Sequence, residues 1–539
     1  MKLSEDIDYK ITVKRIWVKN FKSLRDFKLD LRKINIVVGK NGSGKTNLIE
    51  VFQLFKEILD FLFDKEVNPF LKWWSYANVV WNGNENLPIT VGIEYDVIIP
   101  ECFFRGRNDT KKPTTAKYEI TVTGVGGEFN ILEDRISIPK IIDIKNNRNS
   151  IIIQFDTNLI KKILSEEISF ENAYSFFIGS LVQMIYDKVK DQISLDEVKD
   201  RLNQELKILK MKCLNYLERL KVPLKVKNYP GTLLLEDVVD EIRTSVDMDN
   251  ALELVHDIIS EKLHFCLTRF LIEVIEEIAK QEKLELINIF FEHLGKMKNT
   301  EKYYIIDRSE IIKIIFPEIL YFANQISEAL IGVYLIISRS VILKKIDFKS
   351  IKEPVKLRKE LVLSEDGSNL VSVLYSLGKG KTPKRVKVAI EYAFGEQCNV
   401  LIEPTSDGRI YLKFQENGKE WSPPSIPDGL YKLIALELAL EYKAPIIAVD
   451  EIENSLYADI IRYFIDEVRN SSSIAILTTH SPAVMDFSDP EDIVIFKKDI
   501  DKETKPYRLK KPKKIQEMLR EEGITLSEYI LYREISDET

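Results

Sequence analysis

The chain has 539 residues, of which 45% are hydrophobic and 30% are charged, and its formal net charge is −7 at pH 7. This length and balance are typical of two or three folded domains and exclude a chain that is disordered by composition. A negative net charge also argues against a surface coated for non-specific DNA binding, although a local basic patch remains compatible with it.

Apolar runs and cysteine spacing bear on the cellular location of the protein. The longest apolar run, 329–337, is much shorter than the roughly 20 residues that cross a bilayer. Residues 1–10 lack the apolar core of a secretory signal. We therefore expect a cytoplasmic protein with no membrane partner. The cysteines are widely spaced and form no CxxC pair, so we expect them to pack in the core: Cys102, Cys213, Cys266 and Cys398.

The N-terminal part of the chain predicts mixed α/β structure. Strand-like runs occupy much of 11–38 and end in a glycine-rich turn that opens a helix at Thr46. Residues 87–157 are again rich in strand-like runs, which are separated by Asn, Gly and Pro. We assign residues 1–157 to the first half of a discontinuous α/β head domain.

A helical period dominates the middle of the chain. Apolar residues spaced three and four apart follow Ser194 and Glu197, which have capping-box spacing, and predict a helix from about 195 to 220. A second helical region, 250–295, contains His256 and His264, which we interpret as structural because no ligand cluster surrounds them. We expect residues 158–345 to form a compact helical insertion, since no strict heptad repeat runs through them.

After Glu353 the sequence returns to mixed α/β structure. The runs PIIAVD and SIAILTT are short, apolar and bounded by polar residues, as expected of buried parallel strands. The runs CNVLIEP and RIYLKF also predict strands. We assign 346–539 to the second half of the head, so that the core sheet is completed only late in the chain.

The strongest motif is the loop GKNGSGKT at 39–46, which matches GxxxxGK[ST] between an apolar strand and a helix. Its backbone N–H groups can surround phosphates, Lys45 can supply charge to them, and Thr46 can bind magnesium. The motif predicts an ATP site with a magnesium cofactor. The predicted nucleotide-binding residues of this loop are Gly39, Lys40, Asn41, Gly42, Ser43, Gly44, Lys45, Thr46 and Asn47.

A second motif is needed, because kinases, GTPases and motors also carry such a loop. The apolar run 445–449 ends in two adjacent carboxylates, Asp450 and Glu451. We expect Asp450 to bind the magnesium ion and Glu451 to polarise the attacking water as a catalytic residue. The alternative, a solvated acidic turn after a core strand, is disfavoured by the glycine-rich loop.

A histidine follows the next predicted strand. His480 ends the run IAILTTH, and its position after the carboxylate pair predicts contact with the γ-phosphate. We therefore count His480 with Glu451 and Lys45 as catalytic residues. The alternative for an isolated histidine is a structural role.

Together these motifs resemble the ABC-type ATPases of the SMC/RecF-like branch, and more closely the AAA-type ATPases related to the OLD family of prokaryotic defence systems. The similar text is KNFKSLRDFKLDLRKINIVVGKNGSGKTNLIE, LSEDGSNLVSVLYSL, VDEIENSLY and TTHSP. The resemblance covers about 11–56 and 361–487. It implies an α/β fold, an ABC-type P-loop NTPase head with a mixed β-sheet and flanking helices, interrupted by a large α-helical insertion.

The resemblance also implies a signature loop that acts on the partner's nucleotide in a head-to-tail dimer. Asp428 and Gly429 stand at that position, before the apolar helix LYKLIALELALEY. Pro427 replaces the usual phosphate-binding serine, and the sequence leaves open whether Ser422 or Ser425 substitutes or trans-activation is weaker.

Three other positions bear on the resemblance. Tyr457 replaces a common histidine, and Gln53 lies too early in its helix to serve as the family's Q-loop glutamine. In the resembling family the NFKS turn lies near the nucleotide, which implies contacts from Lys22 and Ser23. The alternative for these two residues is a surface strand end.

The resemblance implies two possible functions. In the first, ATP closes a homodimer or higher homo-oligomer that controls a separate effector, a nuclease or toxin, in defence or nucleic-acid processing. In the alternative, an SMC/RecF-like DNA-maintenance ATPase clamps DNA directly. We prefer the first, because the chain after Phe487 shows no metal-dependent nuclease motif. DNA or RNA is a possible partner through two basic clusters. They comprise Lys379, Lys381, Lys384, Arg385 and Lys387, and Lys510, Lys511, Lys513 and Lys514.

Overall fold

The computed structural model describes residues 10–63, 67–98, 113–140, 142–147, 150–155, 193–219, 224–227, 278–285 and 318–532, with a few positions in 183–190, 239 and 287–288. Two compact units emerge, one of Met1–Leu132 with Gly332–Thr539 and the other of Glu133–Ile331. The predicted division at residues 157 and 345 stays a prediction. His256 and His264 lie outside the described residues.

The strands are β1 Lys10–Phe21, β2 Leu24–Asp30, β3 Ile34–Val38, β4 Ile89–Ile98, β5 Thr114–Thr123, β6 Asn130–Ile138, β7 Ile142–Asn147, β8 Ser150–Phe155, β9 Leu224–Lys227, β10 Val341–Leu343, β11 Val355–Lys356, β12 Cys398–Pro404, β13 Arg409–Glu416, β14 Lys419–Trp421, β15 Ile446–Val449, β16 Ile474–Thr478, β17 Ile493–Lys498 and β18 Thr504–Arg508. The helices are α1 Lys45–Phe63, α2 Leu195–Arg219, α3 Glu318–Arg339, α4 Phe348–Ile351, α5 Leu370–Leu377, α6 Lys384–Phe394, α7 Asp428–Glu441, α8 Ala458–Arg469, α9 Pro482–Asp486, α10 Pro512–Glu522 and α11 Leu526–Tyr532. Together they confirm a mixed α/β fold.

An antiparallel layer in the first unit has the strand order β2-β1-β4-β5. Buried and more exposed residues alternate along β5, because successive side chains of a strand point to opposite faces. Trp17 pairs with Gly92 across β1 and β4, and a Cβ at Gly92 would approach the Trp17 ring to 2.1 Å. Glycine at this position therefore leaves room for the indole.

The second sheet positions the candidate site. Its order is β10-β15-β16-β3-β17-β18, and all its neighbours are parallel except the β17–β18 hairpin. Every residue of β3, β15 and β16 is buried, as expected of strands covered on both faces. The runs PIIAVD and SIAILTT are thus parallel core strands, as predicted, and the predicted strand INIVV lies parallel to them.

A third sheet takes the remaining C-terminal strands. It is antiparallel, in the order β11-β13-β12, with β14 paired to β13. The runs CNVLIEP and RIYLKF are therefore strands, as predicted, but they lie outside the parallel sheet. Their alternating burial fits a layer that is packed on one face.

The second unit is described in part. Strands β6, β7, β8 and β9 follow one another in antiparallel order. Helix α2 starts where the capping box predicted, because the backbone N–H of Glu197 donates to the Ser194 hydroxyl at 3.3 Å. Val198, Leu202, Leu206 and Leu209 form its buried stripe. No helix within the described ranges has the length and apolarity to span a membrane.

Helix α7 runs through the core of the first unit and packs against α5, α6 and α8. It is buried around nearly its whole circumference, including Glu437, whose side chain is 0% exposed. Neither carboxylate oxygen of Glu437 accepts a hydrogen bond from any described residue. The closest cation is Arg385, 3.8 Å away, which also pairs with Glu467. Burial accordingly raises the pKa of Glu437 to about 8.

Glu437→Gln is expected to remove a pH-dependent destabilisation. Between the ordinary pKa of 4.5 and the folded value of about 8, the folded protein holds a proton that the unfolded chain has lost. Wild-type stability therefore falls as pH rises through this window, by up to about 1.4 kcal/mol per pH unit. Urea unfolding at pH 5 to 8 measures the free energies of unfolding of wild type and variant. The difference between the two should widen as pH rises. Glu396→Gln, at an exposed position in the turn before β12, is the control. Equal slopes for wild type and Glu437→Gln would contradict this expectation.

Candidate nucleotide-binding site

The predicted motifs meet at one edge of the parallel sheet. Strand β16 lies between β15 and β3, and all three run in the same direction. The loop 39–44 follows β3, Asp450 and Glu451 follow β15, and His480 follows β16. Since neighbouring strands are about 4.8 Å apart, the ends of β3 and β15 are separated by roughly 10 Å. The carboxyl ends of parallel strands are the usual ligand edge of such sheets.

The loop 39–44 has the backbone of a phosphate cradle. Gly39, Gly42 and Gly44 have φ of 155°, 75° and 98°, which L side chains rarely adopt. A Cβ at Gly39 would approach the Phe496 carbonyl oxygen to 2.5 Å. The Ser43 hydroxyl is buried and finds no hydrogen-bond partner among the described residues. The strand, tight loop and helix α1 therefore fit a phosphate ligand.

Lys45 is the first residue of α1, and it is buried. Its ammonium donates to the carbonyl oxygens of Gly39, at 2.8 Å, and Lys40, at 3.3 Å. Burial lowers the pKa of Lys45, and the carboxylates of Asp450, Glu451 and Glu453 oppose that shift. The lysine and the acidic loop after β15 thus interact electrostatically, although far apart in sequence.

Hydrogen bonds fix the carboxylate pair. The Thr478 hydroxyl donates to Asp450 at 2.5 Å and accepts from the backbone N–H of Glu451 at 2.8 Å. Glu451 has a positive φ of 49°, which is uncommon for a residue with a side chain. The Asn454 side chain donates to its carboxylate at 2.6 Å. A strained backbone held by several contacts is frequent at functional sites.

His480 lies on the exposed side of this edge. Its backbone N–H donates to the Glu453 carboxylate at 2.7 Å, which links the loop after β16 to the loop after β15. The second carboxylate oxygen of Glu453 is buried without a partner among the described residues. The exposed His480 side chain is thus held beside the acidic loop.

Lys432 joins helix α7 to the same loop. Its side chain is 4% exposed, and its ammonium donates to the carbonyl oxygens of Glu451 at 3.0 Å and Asn454 at 2.8 Å. Burial lowers the pKa of Lys432 to about 8, against the pull of Glu453, Glu451 and Asp450. Lys432 therefore supports the backbone of the residue that we expect to act on water.

The turn between β1 and β2 packs on helix α1. The Ser23 hydroxyl accepts a hydrogen bond from the Asn47 side chain at 2.7 Å. Lys22, with φ of 50°, forms an ion pair with Glu50, which also pairs with Lys344. Ser23 and Asn47 thus lie together beside the glycine-rich loop 39–44, which we call the phosphate loop. The Lys22 ammonium, in contrast, is paired with the buried Glu50 carboxylate. Their predicted nucleotide contacts stay predictions.

The predicted signature residues lie at the start of α7. Asp428 is the first residue of the helix and forms a 2.7 Å ion pair with Lys352. A Cβ at Gly429 would meet the Ser455 carbonyl oxygen at 2.4 Å. Pro427 is the N-cap and makes no side-chain capping bond. Gly429 therefore contacts the loop that follows the carboxylate pair, and Tyr457, at the end of that loop, is 84% exposed.

The site's side chains suit a nucleotide with magnesium. Mg²⁺ usually takes one or two protein ligands together with phosphate oxygens and water. Within the described part of the chain, no cluster of three or more His, Cys, Asp or Glu side chains could hold a metal by itself. Thr46 and Asp450 offer the hydroxyl and the carboxylate that a phosphate-bound Mg²⁺ requires.

The sequence motifs did not reveal every residue of this site. Thr504 approaches the phosphate loop from the β17–β18 hairpin and donates to the Ser43 carbonyl oxygen at 2.8 Å. No sequence signal marks it, because its place depends on the pairing of the last two strands. The sequence signal for Lys432 was weak and consisted of one charged residue within an apolar helical run.

The comparisons with known proteins agree with the motifs. The family model described as an AAA ATPase domain matches residues 12–354. The model described as an AAA domain, putative AbiEii toxin, Type IV TA system, matches residues 337–486. An uncharacterised protein of Methanocaldococcus jannaschii is 26% identical over 157 residues, which are 28% of this chain and 60% of that protein. The chain thus spans less than two thirds of that relative's length.

Solved structures of Smc heads are also similar. The head domain with an extended coiled coil, bound to the C-terminal domain of ScpA from Pyrococcus furiosus, is 14% identical at a TM-score of 0.33, covering 95% of this chain and 100% of that chain. The head domain with a coiled coil and joint from Pyrococcus yayanosii gives the same identity, coverage and TM-score.

The AAA ATPase domain model covers well over half of the 539 residues, including the phosphate loop. The AAA domain model covers the segment that contains the carboxylate pair and His480. These matches confirm the resemblance to AAA-type ATPases. The chain belongs to the AAA ATPase domain family.

Proposed function

We propose that this chain binds ATP with Mg²⁺ at the edge formed by β3, β15 and β16 and hydrolyses it. The observation that carries the proposal is the convergence of Lys45, Asp450 and Glu451 at that edge, with the carboxylates acting on the pKa of Lys45. A buried lysine facing acidic side chains suits a site that receives a negatively charged phosphate chain and a cation together.

Each residue has a role in this proposal. The N–H groups of residues 39–47 and the Lys45 ammonium bind phosphates, while Thr46 and Asp450 hold Mg²⁺. When bound, the ion neutralises charge that develops on the phosphates. Glu451 orients and polarises water. His480, whose backbone N–H donates to the Glu453 carboxylate, contacts the terminal phosphate.

We further propose that ATP joins two copies head to tail and that the dimer controls a separate effector. The start of α7 supports this, because Gly429 packs on the loop 451–456 that carries Glu451. A helix N-terminus favours an anion such as a partner's γ-phosphate. The matched AAA domain is described as a putative AbiEii toxin of a Type IV TA system, which supports a role in a system of that kind.

ATP is expected to double the mass of the Glu451→Gln variant in solution. A variant that binds ATP without turning it over should accumulate the closed state, since hydrolysis no longer reopens it. Light scattering of the full chain with ATP and Mg²⁺ measures the mass. ADP and the Lys45→Met, Glu451→Gln double variant serve as controls. A monomer that persists despite measured ATP binding would refute the dimer while leaving hydrolysis to its own test.

A further inference from the structure

The β17–β18 hairpin contacts the phosphate loop through Thr504. Thr504, the first residue of β18, is completely buried. Its backbone N–H donates to the Ser23 carbonyl oxygen at 2.8 Å, and its hydroxyl lies 2.7 Å from the Ser23 hydroxyl. Thr504 therefore joins the C-terminal hairpin to the β1–β2 turn.

The same hydroxyl also contacts the phosphate loop directly. It donates to the Ser43 carbonyl oxygen at 2.8 Å. Ser23 in turn accepts from the Asn47 side chain at 2.7 Å, so the network spans both ends of the 43–47 segment. Two side-chain hydroxyls, from Ser23 and Thr504, thus hold the segment in which the loop becomes a helix.

This contact is close enough to restrict the sequence of the loop. A Cβ at Gly44 would lie 2.3 Å from the Thr504 hydroxyl oxygen and 2.6 Å from the Ser23 hydroxyl oxygen. Gly44 also has φ of 98°. Glycine is therefore required at 44 both by the backbone and by the two hydroxyls that pack on it.

Because the peptide bond is planar, this contact also fixes the direction of the Gly44 N–H group. The carbonyl of Ser43 and the N–H of Gly44 belong to one trans peptide and point in opposite directions. Because the Thr504 hydroxyl holds that carbonyl on the hairpin side, the Gly44 N–H is aimed away from the hairpin. In a phosphate-binding loop this N–H is one of the donors to the phosphates.

We infer that Thr504 is a positioning residue for the phosphate loop, acting through the Ser43–Gly44 peptide. The inference rests on the proposed ATP site and extends it to the C-terminal hairpin. Glu503 supports the position of Thr504, since its carboxylate accepts from the backbone N–H of Asp26 at 2.9 Å and from Lys505 at 2.6 Å. Without the hydroxyl, the peptide can rotate and the Gly44 N–H loses its fixed direction.

Thr504→Val is expected to weaken ATP binding about tenfold, because it removes the hydroxyl while keeping the shape of the side chain. KM should rise more than kcat falls, since the Gly44 N–H contacts phosphate before and during the reaction. Thr504→Ser, which retains a hydroxyl, should restore most of the affinity. Calorimetric titration of the full chain with ATP and Mg²⁺ gives the dissociation constants.

Thr382→Val is the matched control. The Thr382 hydroxyl donates to the Val400 carbonyl oxygen at 2.9 Å in the antiparallel C-terminal sheet, so this variant loses the same kind of bond away from the site. Thermal unfolding of all variants separates loss of stability from loss of positioning. Wild-type affinity in Thr504→Val, or equal weakening in Thr504→Ser and Thr504→Val, would overturn the inference. Failure of the wild-type chain to bind ATP would instead overturn the proposed function itself.

Discussion

Replacing Glu451 by Gln is expected to lower ATP turnover by about 10² or more and to leave ATP binding close to that of the wild type. Gln has nearly the same shape but cannot accept the proton of an attacking water. The hydrogen bond that the Asn454 side chain donates to this position at 2.6 Å can be retained by the Gln carbonyl oxygen. The loss should therefore appear in kcat.

The backbone at residue 451 strengthens this expectation. Its positive φ of 49° is supported by the Thr478 hydroxyl, at 2.8 Å from the Glu451 nitrogen, and by Lys432, at 3.0 Å from the Glu451 carbonyl oxygen. These contacts involve the main chain, so Glu451→Gln leaves them in place. The variant tests the carboxylate and not the loop conformation.

Steady-state phosphate release and ATP titration provide the two measurements. Glu396→Gln, in the exposed turn before β12, changes the same chemical group away from the site and should retain full turnover. If Glu451→Gln hydrolyses ATP at the wild-type rate, Glu451 is not the residue that activates water.

Lys45→Met is expected to weaken ATP binding by roughly a hundredfold or more, because it removes a buried positive charge from the phosphate site. The Lys45 ammonium contacts the carbonyl oxygens of Gly39 and Lys40, which hold it within the loop. Met keeps a flexible apolar stem of similar length, so the start of α1 retains its packing.

The measurement is ATP affinity by calorimetry, with unfolding curves recorded in parallel. Lys19→Met, an exposed lysine on β1, is the control for loss of one positive charge and should bind ATP as the wild type does. Unchanged affinity in Lys45→Met would mean that the glycine-rich loop is not the phosphate site. It would count against the ATP site as a whole.

Local sequence patterns were sufficient for the elements that build the site. The run INIVV is apolar except for Asn35, and a parallel strand covered on both faces favours such a mostly apolar run. The glycines at 39, 42 and 44 occupy positions with positive φ, and helix α1 begins at Lys45 within the motif. Such features depend on a few neighbouring residues, and so they could be predicted without knowledge of the tertiary structure.

Patterns were less informative about how the strands are grouped. The runs CNVLIEP and RIYLKF have strand character, yet nothing in them shows that they join an antiparallel sheet apart from β15 and β16. Strands β6 and β7, between the predicted runs of the N-terminal part, were not identified individually. The pairing of a strand depends on partner strands that are distant in sequence. The residues of the strand itself indicate only whether one or both of its faces are buried.

The sequence by itself determined the family of the protein and the positions of the glycine-rich loop and the acidic strand end, because these motifs need particular residue types at short, fixed spacing. Only the tertiary structure decided which side chains surround them. Lys22 forms an ion pair with Glu50. The Lys432 ammonium donates a hydrogen bond to the Glu451 carbonyl oxygen. The Thr504 hydroxyl donates one to the Ser43 carbonyl oxygen. Each of these contacts joins segments brought together by sheet order and helix packing, and such long-range neighbours leave no spacing pattern along the chain.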